Sequence, residues 1–320
     1  MKLKLFLALT MVIQISSCSF VFELGFEPTP TIESLPTGTP EMTSLPSSTA
    51  TIQPTETVTI VPSPTLLPGS VVFPITSLGK DIPWLTTETS ELPHVHVITF
   101  NTRKPPFDNV LVRKAFAASI DREEIVKMAQ RWSADSMLPA TTFIPAQTLG
   151  RDLYGVVGIN YDPVQAKEWL IQAGYTDTSS FPTVTFIVNS YGLDDPYARY
   201  NMASAMADMW HTHLGVNVEV QAIKPPVFGE RMRTNPPEIF WVGWVSDVGN
   251  DPDFIRLIFH SDTQYNYGHF SNQDFDKLVD QAAKSHDPAA RQIMYIEAER
   301  LLCEAEAVIV PLYHIISNGP

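Results

Sequence analysis

Apolar positions along this chain recur with two different spacings, and from residue 92 onward the two alternate. LPHVHVITFNT (92–102) alternates apolar and polar residues as a strand does. The next stretch, PPFDNVLVRKAFAASIDREEIVKMAQ, takes up helical spacing: Val112, Ala115, Phe116 and Ile120 make one stripe, with Asp108 placed to cap it. Asp121, with Glu124 three residues on, predicts a second helix start of the capping-box kind. In NYDPVQAKEWLIQAGY, Asp162 caps, Pro163 takes the first helical position, Ala166, Trp169, Leu170 and Ala173 form the apolar face, and Gly174 ends the helix. TVTFIV (183–188) reads as a strand. A helix then opens at Asp195–Pro196, carries Met202, Met206, Met209 and Trp210, and stops at Leu214–Gly215; methionines at this spacing fill core gaps. VNVEVQAI (216–223) alternates again, and EIFWVGW (238–244) is a nearly unbroken apolar run, as in a strand covered on both faces. Two more helices start at Asn272 and Pro288, and AVIVPLY (307–313) closes the series as a buried strand. Strands interleaved with helices in this way predict an α/β domain with a mixed or parallel sheet.

The first ninety residues are built differently. Met1 to Lys4 is a short basic head, LFLALTMVIQI (5–15) is apolar but too short to span a bilayer comfortably, and ISSC follows, which together predict a signal peptide. Ile15-Ser16-Ser17-Cys18 resembles the lipobox of bacterial lipoproteins, so residues 1–18 are expected to be a lipoprotein signal with Cys18 as the acylated residue. No Lys, Arg or His occurs between Leu5 and Gly79, and Pro, Thr and Ser crowd the stretch 27–69. Such a composition cannot bury enough apolar surface to offset its ordering entropy, so residues 19–70 are expected to form a disordered tether. Residues 71–92 are a transitional segment before the folded region, 93–320.

Charge and cysteine content narrow the function. The formal net charge of -14 over 320 residues argues against a nucleic-acid partner, which needs a clustered Lys/Arg surface. Cys18 and Cys303 are the two cysteines, so no disulfide framework is implied, and Cys303 reads as a buried thiol. His94-Val-His96 puts two imidazoles on one strand face and His211-Thr-His213 offers another pair, yet neither has a third ligand at a suitable spacing. There is no Gly-x-Ser-x-Gly elbow, phosphate loop or His-Glu-x-x-His helix, and an enzyme is not expected.

The stretch that carries chemistry is WVGWVSDVGNDPDF (241–254). A carboxylate at the mouth of an apolar crevice binds a cation through a charge-assisted bond, and a neighbouring indole adds cation–π attraction. Glycines at 243 and 249 let backbone approach a ligand, and crevices in α/β sheets open at the carboxyl ends of strands. Trp244 and Asp247 are therefore the expected pair, with Asp247 on a ligand amine. Trp241 reads as core and Asp251–Pro252 as the start of the next helix. Arg231 and Arg233 could reach a ligand carboxylate or stay on the surface, and Tyr265 and Tyr267 fit ligand contact and packing equally.

The order of these pieces resembles the family 5 extracellular solute-binding proteins, the peptide- and nickel-binding components of ABC importers. FNTRKPPFDNVLVRKAFAASIDREEIV (100–126), the Asp-Pro…Ala-Gly-Tyr helix, WHTHLGVNVEV, FSNQDFDKLVDQA and RQIMYIEAERLLCEAEAVIVPLYH follow one another as the family's segments do. The resemblance implies a type II periplasmic-binding-protein-like α/β fold, here one lobe plus part of the other with the N-terminal half of the family fold missing. It also implies a lipid-anchored protein on the outer face of the cell membrane that binds a peptide or other small solute, needs no cofactor, and delivers to permease subunits. Trp244, Asp247, Tyr265 and Arg231 are its expected ligand-binding residues. The alternative is a surface interaction or sensing module that kept one lobe and docks a partner.

Overall fold

The computed structural model describes residues 80–81, 93–133, 135–190, 197–246 and 251–316. Cys18 and the segments expected to be signal and tether, and also Asp247, lie outside the described residues. A two-residue strand β1 (Lys80–Asp81) precedes β2 (His94–Phe100), after which come α1 (Val110–Ala118), α2 (Arg122–Ala129), β3 (Ser136–Pro139), α3 (Ala146–Leu149), β4 (Arg151–Asp152) and α4 (Pro163–Gln172). Then follow β5 (Val184–Asn189), α5 (Ala198–Leu214), β6 (Val218–Ile223), α6 (Pro225–Thr234) and β7 (Ile239–Val245). The chain ends in α7 (Phe254–Phe259), α8 (Gln273–Lys284), α9 (Pro288–Arg300) with a π-helical turn over Leu301–Ala305, and β8 (Ile309–Ile316).

Six strands form a mixed sheet in the order β3-β8-β2-β7-β5-β6. β7, β5 and β6 run parallel, while β2 pairs antiparallel with both β7 and β8, and β3 antiparallel with β8. Strand alternation divides the core in two. Ile239 and Trp241 of β7 face a layer containing Val112, Phe116, Leu170, Met206 and Trp210, from α1, α4 and α5. Phe240 and Val242 face the opposite layer, with Phe228, Ile255, Phe275 and Tyr295 from α6 to α9. Each of these large side chains contributes about 1.5–3 kcal/mol by leaving water, so both faces of the central strands are fixed.

The caps account for most helix starts. Asp121, Asp162, Asn272 and Asp287 each accept hydrogen bonds from backbone amides of the first turn. At α1 the expectation needs correcting: Asn109, not Asp108, is the cap and accepts from Leu111 N at 2.9 Å. The amide of Asp108 is taken up by the carbonyl of Lys104 in the preceding turn, which moves the start of the helix one residue on. The Asp195–Pro196 start expected for α5 lies outside the described residues.

Candidate functional site

β5, β6 and β7 end their parallel run at Asn189, Ile223 and Val245, and at this end β7 leaves the core. Ile239 to Val242 are buried, Gly243 and Val245 are exposed, and Trp244 between them is half-buried. On the α6–α9 side, the Trp244 indole stacks on Tyr267 at 6.2 Å between centroids and meets Tyr265 edge-on at 6.3 Å. The loop bearing both tyrosines is held by Asn266, whose amide donates to Phe270 O at 2.7 Å while its oxygen accepts from Phe270 N. The Tyr267 phenol is pushed up, first by burial and then by Tyr265, against the charge of Arg233.

Two of the expected residues, Trp244 and Tyr265, are thus brought together. Arg231 is not: it lies exposed on α6, one position off the buried stripe of Phe228 and Met232, and touches neither ring among the described residues. Ser246 and Asp251, the nearest described residues on either side of Asp247, are both held. Ser246 N donates to Pro93 O at 2.8 Å, and Asp251 accepts from Arg291 at 2.6 Å and from Asp253 N at 2.8 Å. α7 starts at Phe254, with Asp251 just ahead of it.

The α1–α5 side of the same strand end holds a second cluster. Trp241 is fully buried, as a core residue should be, but its Nε1 donates to Nδ1 of His96 at 3.2 Å. His96 stacks on Tyr313 at 4.7 Å and lies 4.9 Å from the ring of His94. With one nitrogen of His96 committed to Trp241, the pair is built as packing. Burial, then the nearby Arg199, lowers His94 to about 4 and His96 well below the usual imidazole range, so both are neutral at pH 7. Gly243 is required here, because a Cβ would stand 2.7 Å from Cε1 of a His96 ring that cannot withdraw.

Arg199 completes this cluster, with its guanidinium over the Trp241 ring at 5.5 Å. Pattern reading passes over it because it sits on a helix whose apolar stripe is otherwise regular. The available signal is its isolation: it is the only Lys or Arg between Lys167 and Lys224, and it precedes buried Met202, Ala203 and Met206 by three, four and seven positions. Two shallow cavities, of about 240 and 450 Å³, lie away from both clusters, one between Asp121 and Tyr161 and the other between the ends of α4 and α5.

A mixed α/β sheet whose parallel strands end on partly exposed aromatic and cationic side chains defines a class: α/β units that receive ligands at the strand carboxyl ends. The chain belongs to the bacterial extracellular solute-binding proteins, family 5, whose middle region matches residues 70–266. This is a family of binding proteins and not of enzymes. The oligopeptide-binding protein OppA of Bacillus subtilis is 29% identical over 224 residues, which are 68% of this chain and 39% of that protein. The periplasmic murein peptide-binding protein MppA of Escherichia coli is 28% identical over 244 residues, 75% of this chain and 43% of its own. The chain thus spans about two fifths of the length of these relatives. Among solved structures, the unliganded open form of the murein tripeptide-binding protein MppA superposes with a TM-score of 0.62 at 26% identity, over 71% of this chain and 43% of that one. A peptide-binding protein of a peptide ABC transporter superposes with a TM-score of 0.57 at 25% identity, over 69% of this chain and 99% of that one. This architecture therefore makes up nearly the whole of that solved chain.

Proposed function

We propose that this protein is the extracytoplasmic solute-binding component of an ABC importer, with peptides as its ligand class and permease subunits as its partners. In this reading residues 1–18 are a lipoprotein signal, Cys18 carries the lipid, 19–70 is the tether, 71–92 leads into the fold, and 93–320 corresponds to the later half of the family fold. The ligand lies across the carboxyl ends of β5 and β7. Trp244 offers its indole there, and Asp247, three residues on, takes the ligand ammonium. The observation that carries the reading is the half-buried Trp244 indole, packed against Tyr265 and Tyr267 at the place where β7 leaves the core. The relatives named for peptide binding supply the ligand class.

The test is titration calorimetry with short peptides against the wild type, Trp244→Ala and Asp247→Asn. Asp247→Asn is expected to weaken binding by about 2 kcal/mol or more, the cost of breaking one desolvated charge pair. Trp244→Ala is expected to weaken it by about 1–2 kcal/mol through lost cation–π and contact area. Unchanged affinity in both variants would remove the rim from the site. A second reading, a module that docks a protein partner, draws on exposed Tyr197 and Val245 beside the rim. Size-exclusion chromatography separates the two, since a peptide-binding monomer supports the first.

A further inference from the structure

The two cavities away from the strand ends share a wall. Tyr161 lines the one of about 240 Å³ and His213 the one of about 450 Å³, and the Tyr161 hydroxyl meets Nε2 of His213 at 3.1 Å, with 5.8 Å between the rings. The smaller cavity is rigid. Arg122, buried at the first position of α2, donates from Nε to Pro311 O at 2.8 Å. The loop of residues 153–160 is locked on buried Thr141: Gly158, at φ +88°, lies so close that a Cβ would stand 2.0 Å from Thr141 O, and Leu153 and Val157 are buried within the loop. Tyr154 is thereby fixed while staying 39% exposed, and Tyr161 is 44% exposed. Both phenols are raised, first by burial and then by a neighbouring carboxylate, and are neutral hydrogen-bonding groups at pH 7.

The lining of each cavity carries both signs of charge. In the smaller one the carboxylates of Asp121 and Glu123 stand against the Arg122 guanidinium and the positive end of α2. In the larger one Lys167 stands against Asp177. A small cation or anion would meet a like charge in either, which is unfavourable. What the walls offer instead is planar two-atom acceptors and donors, among them the Asn160 amide held by Gly155 O at 3.3 Å, and the hydroxyls of Thr176, Thr178 and Thr212. Beside these lie tyrosine rings, apolar on the face and polar at the tip. The matching ligand is neutral, dense in hydroxyls and apolar on one face, which describes a sugar ring: its neighbouring hydroxyls suit the planar groups and its C–H face suits a tyrosine. The smaller cavity lies below the about 300–1,000 Å³ that takes a drug-sized ligand, so it holds one ring, and the larger cavity across the shared wall holds the next. We propose that the paired cavities on either side of Tyr161 and His213 form a second binding site, for a short oligosaccharide, with Tyr154 and Tyr161 as the rings on which its sugars stack. The site stands apart from the strand ends and does not depend on what binds there.

The experiment is an NMR titration of the full chain, read by saturation transfer from protein to sugar, with glucose, N-acetylglucosamine, maltotriose, cellotriose and chitotriose as probes. At least one trisaccharide is expected to bind, and to bind about 5-fold or more tightly than its own monosaccharide because it engages both cavities. Tyr154→Ala and Tyr161→Ala should each weaken it by about 5-fold or more, the usual effect of truncating an aromatic anchor. Both side chains are exposed, so each variant should keep the wild-type thermal midpoint and peptide affinity. Failure of every probe to bind the wild type overturns the proposal, as does binding that is undiminished in both tyrosine variants. Loss of the trisaccharide in Trp244→Ala would put the sugar on the strand-end rim and overturn it too. Displacement of the trisaccharide by tetramethylammonium or by inorganic phosphate would make the cavities a charge site and overturn the sugar assignment.

Discussion

Glu299 and three histidines give the fold two opposing responses to pH. Glu299 is fully buried on α9, where its oxygens accept from the amides of Phe143 and Ile144 and from the Cys303 thiol. Burial outweighs these three donors and pushes its carboxyl up to about 7. A raised folded-state value means that its contribution to stability is complete below the ordinary value near 4.5 and is lost as pH rises through 7. His94 and His314 are lowered by burial to about 4, and His96 is lowered well below 6.5. Their contribution is present above 6.5 and lost as pH falls toward 4, the shifts of His94 and His314 being worth about 3 kcal/mol each. The histidines outnumber the glutamate, so the urea midpoint is expected to fall between pH 6.5 and 4. Glu299→Gln removes the opposing slope, and its midpoint should fall more steeply than the wild type's from pH 7 to 4.5. Parallel curves for the two proteins would show that Glu299 is ionised throughout. Histidines at 94 and 96 are visible in the sequence as a same-face pair, but nothing in the sequence marks position 299, because its burial is created by a loop more than 150 residues away.

The two ends of α5 answer to different tests. Its last turn closes on Gly215, at φ +72°, where a Cβ would also stand 2.8 Å from Oγ1 of Thr178. Gly215→Ala is expected to cost about 1–2 kcal/mol, from the left-handed backbone and the crowded threonine. Arg199 sits sixteen residues away, about 24 Å along the helix axis, so thermal unfolding should shift while peptide affinity does not. A variant that loses both together would place the two ends of α5 in one cooperative site. The end of α5 was legible in the sequence because Leu-Gly after an apolar stripe marks a helix stop, and α4, α8 and α9 were legible for the same kind of reason at their caps. β3, β4 and α6 were not. Ser136–Pro139 is an edge strand of four residues that, among the described residues, pairs only with β8, and α6 begins with two prolines and buries only Phe228 and Met232, so neither has a period long enough to read. At the rim, alternation correctly separated buried Trp241 from half-buried Trp244. Arg199 and the Tyr313–His96–Trp241 stack were hidden because they come from four elements that only the sheet order brings together.

At the scale of the whole molecule, the proposed lipid anchor at Cys18 is the feature that would join the first seventy residues and the folded region in one task. No described helix is long and apolar enough to cross a bilayer. The apolar stretch 5–15, outside the described residues, is about half the length that a span requires. If Cys18 carries a diacylglyceryl group, the two chains supply stable anchoring where one would be only marginal, at about 0.8 kcal/mol per buried methylene. Cys18→Ala isolates this arrangement, since it removes the acyl acceptor and leaves the fold untouched. In detergent phase partitioning of expressing cells, the wild type is expected in the detergent-rich phase and to label with radioactive palmitate. The variant should leave no labelled species while binding peptides with the same affinity once purified. A wild-type protein found in the aqueous phase without label would mean that the sequence around Cys18 directs secretion alone, and that the rim works free of the membrane.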